Sequence, residues 1–489
     1  MPTTTVSIGS NQNIDTRTPN TSGGSGPSYT IGFTTSPTIK SYSQNGIAVG
    51  DIATMDTDEA GANGGGGGPP VTSIPSTYTY LVTAISSGGN SITVKYISDT
   101  AGKGDHSPYG LYTGNGSSGS PEQADMVFKR AFTSISAFEA MVDDLSPTLF
   151  GSTDDVIGEL HADSTFTEGQ VTFNSKQSLA SVTLTSNEFD RHDGTAESGA
   201  LIKPTSSAAH NVGVIEVAID DMTVSFLDIS LDDGDSLTTN IGIELSSYDG
   251  VIVRNNLVHD FDGNPGSSGP YGLRMPASAN DSAVAGCHNN IIYNIHETAG
   301  DNAWSIQNVN FRGTSYVDNN TIYSIEVPDG RTAHGYDYNN TGDNDANYYV
   351  RNNLIGGMVA DATTRRRPFR SRNGDGAEIE NNNCDFRNSS GQSSRSGNRA
   401  PGSNSLQNQT LAQVAFVSTT FGSEDLHLTS DSVCVDAGAD LGTNVDSNYD
   451  IDGRDRDAEG DTWDIGADEF TETVDPPAVS AGPFIHFVD

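Results

Sequence analysis

Val253-Arg254-Asn255-Asn256-Leu257-Val258 places a pair of asparagines between a hydrophobic residue and a short aliphatic patch, and the chain carries five such stretches. The others are Cys287-His288-Asn289-Asn290-Ile291-Ile292, Val317-Asp318-Asn319-Asn320-Thr321-Ile322, Val350-Arg351-Asn352-Asn353-Leu354-Ile355 and Ile379-Glu380-Asn381-Asn382-Asn383-Cys384. The first asparagine recurs after 34, 30, 33 and 29 residues (289−255, 319−289, 352−319, 381−352). A unit of that length cannot bury its own apolar face, and stacking on neighbouring copies solves the problem, which is the logic of a solenoid. Around each pair the apolar residues come in twos and threes, rich in Val, Ile and Tyr and bounded by Gly, Asp, Asn and Ser. That is strand-and-turn patterning; no repeat holds a helical period. Asparagine tolerates the left-handed backbone of a sharp corner, and identical amides stacked in register bond to one another. Asn255, Asn289, Asn319, Asn352 and Asn381 are therefore expected to form a ladder along one corner.

The pattern resembles the right-handed parallel β-helix of the pectate-lyase-like superfold. Asp425-Leu426-His427-Leu428, Cys434-Val435-Asp436-Ala437-Gly438, Asp450-Ile451-Asp452-Gly453-Arg454 and Asp464-Ile465-Gly466-Ala467-Asp468-Glu469-Phe470 resemble the closing segment of many surface and virion β-helix proteins. The resemblance covers residues 150–470 and implies a fold, not an activity, because one superfold hosts many functions.

At 489 residues the chain is long enough for more than one domain. Hydrophobic residues make up 34%, which suits a thin solenoid with a narrow core. Residues 1–120 read as a small antiparallel β domain. Ile47–Thr54, Tyr78–Ile85 and Ser91–Tyr96 are strand signals, and Ser86-Ser87-Gly88-Gly89-Asn90 is a hairpin turn. Segments similar to these open many tailed-phage structural proteins. Residues 121–150 hold a linker and one helix, at 131–145. Ser136 and Glu139 have capping-box spacing, and Ile135, Phe138, Met141, Val142 and Leu145 share a face. The expected role is an α-helical cap over the open end of the solenoid, with Phe138, Met141 and Leu145 inward. Residues 151–400 are the expected β-helix, with Asp262 to Pro276 and Asp329 to Asn347 as loops leaving the coils. Residues 401–489 are the closing segment and tail. The fold class is thus all-β: a right-handed parallel β-helix with an N-terminal helical cap and a small antiparallel β domain.

The formal net charge of −40 comes from a shortage of Lys and Arg, since only 18% of residues are charged. It disfavours binding to nucleic-acid phosphates and favours basic partners or cations such as Ca²⁺. Cys287, Cys384 and Cys434 make no disulfide framework and read as buried packing thiols. No apolar run reaches the roughly eighteen residues of a membrane helix. The N-terminal Met1-Pro2-Thr3-Thr4-Thr5 lacks signal-peptide features. A virion protein released by lysis, a secreted chain with a trimmed signal, and export without a cleaved signal all fit.

A β-helix hydrolase needs two carboxylates roughly 5–9.5 Å apart, and a lyase needs an Arg or Lys base with Ca²⁺. The acids grouped with His334 (Asp337, Asp343, Asp345) and with His259 (Asp260, Asp262) sit in the expected loops, and in a chain with 64 acidic residues they read as solvated loop acids. No catalytic residue is assigned. Asn340, Asp343 and Asp345 could hold a structural Ca²⁺, as could Asp232–Asp235 or the ten acids between Asp446 and Glu469; an Asx turn without metal is the alternative. Arg365, Arg366, Arg367, Arg370 and Arg372 form a dense basic cluster, either a docking point for an acidic glycan or neighbouring subunit or a charge-balancing loop.

Together with the phage-like segments, these features lead to an expected function: a noncatalytic virion-surface protein of a tailed phage, resembling head-decoration, fibre or spike (tailspike) proteins. The N-terminal domain would attach it to a major capsid, tail or neck protein. It would assemble as a homotrimer and contact host glycan, with no nucleic-acid or membrane partner. A polysaccharide lyase or glycoside hydrolase on the same fold is the alternative, and a bacterial surface adhesin is the second.

Overall fold

The computed structural model describes residues 3–17, 19–23, 28–33, 37, 46–56, 77–99, 126–144, 153–204, 213–231, 241–246, 249–262, 269–275, 283–298, 300–309, 313–339, 347–360, 365–372, 377–387, 402–442, 448–459 and 462–471. The chain divides into two compact units. The first spans Met1–Ser164 with Gln177–Ala180 and Asn187–Phe189, and the second takes the remainder.

The first unit holds a seven-stranded antiparallel sheet in the order Asp15–Arg17, Met126–Lys129, Ile52–Asp56, Thr77–Ile85, Ser91–Asp99, Ser28–Phe33, Pro19–Gly23. It therefore takes in residues beyond 120. Tyr78, Tyr80, Val82, Ile92, Val94, Met126 and Phe128 alternate inward to form its core. Arg130 is fully enclosed and bridges two carboxylates, Asp51 at 2.9 Å and Asp163 at 2.7 Å. The glycine-rich run at 61–68 lies outside the described residues.

The expected helix is present as Ile135–Asp144. Its first turn is capped by Ser134, whose Oγ accepts from the Ala137 N–H at 3.1 Å, rather than by Ser136. It is not the cap over an open strand edge. The strand that notionally opens the coils, Asp155–Leu160, is paired in parallel along its length with Thr3–Ile8. The chain's own first strand thus satisfies the edge that the helix was expected to cover. The helix buries Ile135, Phe138 and Val142 but leaves Met141 half-exposed. Phe138 fills the space above Gly158, where a Cβ would come within 2.7 Å of its ring. Leu145 lies outside the described residues.

The second unit is a parallel β-solenoid. Each turn contributes one strand to each of three sheets. The turn Val251–Arg254, Leu257–Asp262, Tyr271–Met275 lies under Val284–His288, Ile291–His296, Ala303–Val309, and that under Thr314–Asp318, Thr321–Glu326, Ala333–Asn339. The segments 262–276 and 329–347, expected to be loops, each contain the third strand of a turn. Their outward residues are polar, which hid the alternation. Inside, the three sheets meet closely. Met275 Sδ lies 3.8 Å from Cys287 Sγ, and the Tyr338 and Tyr348 rings meet tilted at 45° with centroids 3.8 Å apart. At Gly272 a Cβ would lie 2.7 Å from Ile292 Cγ2, so only glycine lets that pair of sheets approach. All three cysteines are buried free thiols.

The asparagine pairs form the corner between the first and second strands, and the two members do different work. Asn255, Asn289, Asn319 and Asn352 take the left-handed conformation, with φ of 55°, 53°, 57° and 56°. The buried ladder is built by the second members. Asn256 Nδ2 donates to Asn290 Oδ1, Asn290 to Asn320 and Asn320 to Asn353, each at 3.0 Å, and Asn353 donates to Asn383 at 3.1 Å. Each Oδ1 also accepts the backbone N–H of the asparagine in the preceding turn. The expected ladder of Asn255, Asn289, Asn319, Asn352 and Asn381 is thus displaced by one residue. In the fifth copy the displacement is larger. Arg351 pairs with Asn381, and Asn382 takes the left-handed corner at φ 52°. The fourth spacing is then 30 (382−352), and Asn381 belongs to a strand.

The closing segment does not extend the stack. After the last stacked strand, Leu406–Thr410, the chain forms a hairpin, Phe416–Thr420 with Ser423–Leu428, and then a strap laid along the asparagine corner. Asn382 Nδ2 donates to Ala437 O at 3.0 Å, and Asn352 exchanges two bonds with Ala439, at 2.8 and 2.9 Å. Asn255 donates to Asp450 O, and Asn289 Oδ1 accepts from Arg456 at 3.2 Å. Gly466 N–H returns to Asn352 O at 2.8 Å. The strap therefore runs along the corner and doubles back. Beneath it lies a second apolar cluster in which Leu257, Ile291, Leu354 and Cys384, which share one column, meet Leu426, Leu428, Ile451, Ile465 and Ala467. Arg456 is fully enclosed. It pairs with Glu469 at 2.7 Å and donates to the carbonyls of Gly466 and Ala467 at 2.9 and 2.8 Å. Among the described residues no helix is long and apolar enough to cross a membrane.

Candidate functional site

The seven-stranded sheet made by the third strand of each turn carries two side-chain columns on its outer face. The first follows the strand pairing: Thr172, Glu216, Glu244, Arg274, Gln307, Asp337, Arg370. The second runs Ile241, Tyr271, Trp304, His334, Arg367. Tyr271 and Trp304 stack with centroids 4.7 Å apart and planes 7° from parallel, and Trp304 and His334 stack at 5.4 Å and 5°. A parallel solenoid imposes this geometry, because side chains at one register position of successive turns lie one strand spacing apart.

The columns are joined. Trp304 Nε1 donates to Asp337 Oδ2 at 3.0 Å. Arg370 Nε lies 3.5 Å from Asp337 Oδ1, and its Nη1 lies 3.3 Å from His334 Nε2. Asp337 has no exposed surface. Further along, Glu244 pairs with Arg274 at 3.2 Å. Glu216 accepts from Thr172 and Ser246 hydroxyls, both at 2.9 Å, and from Gln170 at 3.3 Å. Burial raises the Glu244 pKa, Arg274 opposes it, and the neighbouring Glu216 charge adds to it. The stacked rings cover one another's faces and leave their edges toward the polar column, an arrangement that braces a surface rather than offering a flat platform for a sugar.

His334 and Asp337 are therefore strand residues of this face, not loop acids. Asn340, Asp343 and Asp345 lie outside the described residues, as do Asp232, Asp233 and Asp235. The arginine cluster is the strand Arg366–Arg372, and its members do not form one patch. Arg367 and Arg370 end the two outer columns, while Arg366 turns to donate to Ala360 O. Arg365 precedes the strand, and the side chain of Arg372 lies outside the described residues. His259 is enclosed between Asp228 and Asp260, each at 2.8 Å, and stacks on Tyr293 at 5.3 Å. Burial alone would lower its pKa, but hydrogen bonds and charge from the two carboxylates outweigh it and raise it to about 9. It is a charged clip without a nucleophile in its hydrogen-bond shell.

A third constellation joins two of the acids between Asp446 and Glu469 to a histidine that sequence reasoning left out. His427, Asp452 and Asp468 place one ligand-type atom each within 4.8 Å of one another where the hairpin meets the strap. The separation of His427 from the two aspartates in sequence hid the grouping. The outer polar column had a usable signal, because Arg274, Gln307, Asp337 and Arg370 recur after 33, 30 and 33 residues (307−274, 337−307, 370−337), the repeat length.

No family model matches the chain, and no curated protein and no solved structure matches it either.

Proposed function

We propose that this chain is a noncatalytic structural protein of a tailed-phage virion surface, a head-decoration, fibre or spike protein whose β-helix is right-handed. The N-terminal antiparallel unit attaches it to another virion protein, and the solenoid presents the outer sheet face, where Arg367 and Arg370 contact acidic host glycan. The observation that carries the noncatalytic reading is the pairing within the outer polar column. Glu216 is held by three donors, Glu244 by Arg274, and Asp337 by Trp304 and Arg370. Acids spent on neighbouring donors in this way brace a surface and are not placed as a general base. The net charge of −40 suits a particle-exposed chain that stays soluble at high local density. The test incubates purified protein with acidic and neutral polysaccharides, with and without Ca²⁺. No reducing ends and no unsaturated products should appear. Particles lacking the protein should rebind the full chain, and its solution mass should be that of a trimer. A monomer that ignores such particles refutes the virion reading.

One observation favours a hydrolase as the second reading. Glu216 and Glu244 occupy the same column in successive turns, with strands about 4.8 Å apart, near the separation that retaining glycosidases use. Reproducible release of reducing ends that Glu244→Gln abolishes would establish it.

A further inference from the structure

We propose that His427, Asp452 and Asp468 bind a divalent transition-metal cation of the zinc class, which fastens the C-terminal strap to the hairpin that precedes it. His427 lies on the hairpin strand Ser423–Leu428, and the two aspartates lie on the outgoing and returning arms of the strap. A cation bound by all three joins segments that side chains otherwise hold.

The ring of His427 is already aimed. Its Nδ1 lies 2.6 Å from Asp425 Oδ1, the carboxylate-behind-histidine arrangement that orients metal-binding imidazoles. Gly194, at φ 82°, covers the ring so closely that a Cβ there would sit 2.5 Å from Cε1. The Nε2 atom is left toward Asp452 Oδ1 at 3.3 Å. Asp468 is held in place by accepting the Leu428 N–H at 2.7 Å. Ligand atoms within 4.8 Å of one another need to close only slightly to reach metal–ligand bonds of about 2.0–2.2 Å.

A second observation comes from Asp450. It is fully enclosed, and its Oδ1 accepts from the Asp452 and Arg454 N–H groups at 3.0 and 2.8 Å. Its Oδ2 is buried with no hydrogen-bond partner, in the field of Asp452 and Asp468. Asp193 and Asp425 add negative charge around His427. The cations at hand are few. Arg454 binds Asp452 at 3.2 Å, and Arg456 is spent on Glu469 at 2.7 Å. Asp450, Asp452 and Asp468 gather around one imidazole, and a buried carboxylate oxygen left without a partner is costly. A cation in place of the Nε2 proton would sit among these carboxylates. The nitrogen donor selects zinc over calcium or magnesium, which take oxygen ligands.

The experiment treats the full chain with a chelator, desalts it, and titrates Zn²⁺, Mn²⁺ and Ca²⁺ by calorimetry. Co²⁺ serves as a spectroscopic probe. One equivalent of Zn²⁺ should bind and raise the unfolding midpoint, and Co²⁺ should give a visible d–d band. Asp452→Asn and Asp468→Asn should each weaken Zn²⁺ binding at least tenfold, while Glu326→Gln, outside the cluster, should leave it unchanged. Should either cluster variant misfold, wild-type stoichiometry and the Co²⁺ band still decide. No stoichiometric Zn²⁺ binding, binding of Ca²⁺ alone, or Zn²⁺ binding indifferent to both variants would overturn the proposal.

Discussion

Replacing Asn320 by Ala tests the corner ladder at its centre. Asn320 Oδ1 accepts the Asn290 N–H and one Asn290 amide hydrogen, each at 3.0 Å, and its Nδ2 donates to Cys287 O at 3.0 Å. Truncation removes these three bonds, together with the Nδ2 donations to Asn353 Oδ1 and Asp318 O, in a region with no exposed surface on Asn290 or Asn320. At roughly 1–3 kcal/mol for each buried group left unpaired, and with a water able to enter the vacated space and serve one of them, the loss is about 3–5 kcal/mol. The neighbouring Asn319→Gly is the control. It keeps the left-handed corner at φ 57°, needs no Cβ there, and retains the backbone bond to Arg351 O, so its cost is under about 1 kcal/mol. Asn319→Ala should fall between, at about 1–2 kcal/mol, because it keeps a Cβ in the left-handed conformation. Urea unfolding followed by circular dichroism, with the slope required to stay constant, gives the three values. If Asn319→Gly costs as much as Asn320→Ala, the division of labour between the two asparagines is wrong.

The His259 clip sets a pH dependence. Its pKa is raised from 6.5 to about 9, so its stabilisation is complete below pH 6.5 and is lost as pH rises through 9, a change of about 3 kcal/mol that His259→Gln should flatten in urea midpoints taken from pH 6 to 10. Arg456→Met leaves Glu469 and the carbonyls of Gly466 and Ala467 without their donor. It should cost about 3–5 kcal/mol and expose the strap to limited proteolysis before the stacked strands, and uniform cleavage along the chain would count against a separately held strap.

The solenoid was legible because stacking writes its period into the sequence, and the Asn pairs carry that period in a residue type with few other reasons to recur. Which asparagine stacks was not legible. Both members of a pair share the same spacing, and only backbone geometry separates a left-handed corner from a buried amide. The run Asn381-Asn382-Asn383 then offered two registers, and strand pairing selects the later one. The helix was legible as a helix through its apolar face, but its partner was not, because the strand that takes the expected open edge, Thr3–Ile8, lies some 150 residues from it (155−3 = 152). The outer columns share the repeat spacing but are polar, so a search for apolar rungs passes over them. The strap had a signal of a different kind. Leu257-Val258, Ile291-Ile292 and Leu354-Ile355 are adjacent aliphatic pairs in strands, and alternation sends one member of each outward. An aliphatic residue pointing outward in turn after turn requires something to cover it.

That requirement explains why the corner uses asparagine where glycine would serve the backbone as well. Gly357, at φ 71°, takes the left-handed conformation at a later bend of the same turn as Asn352, so conformation alone does not select the amide. At Asn352 the side chain gives and receives one bond each with the backbone of Ala439, and at Asn382 it donates to Ala437 O. These are backbone groups of a strap segment with no strand partner, and buried peptide groups left unpaired would oppose its docking. The amide supplies both a donor and an acceptor at a fixed spacing along the solenoid axis. Docking then buries the outward column of Leu257, Ile291 and Leu354, each worth roughly 1.5–3 kcal/mol when fully removed from water. The corner asparagines Asn255, Asn289, Asn352 and Asn382 therefore serve the turn and the strap together, and the strap belongs to the fold rather than trailing from it.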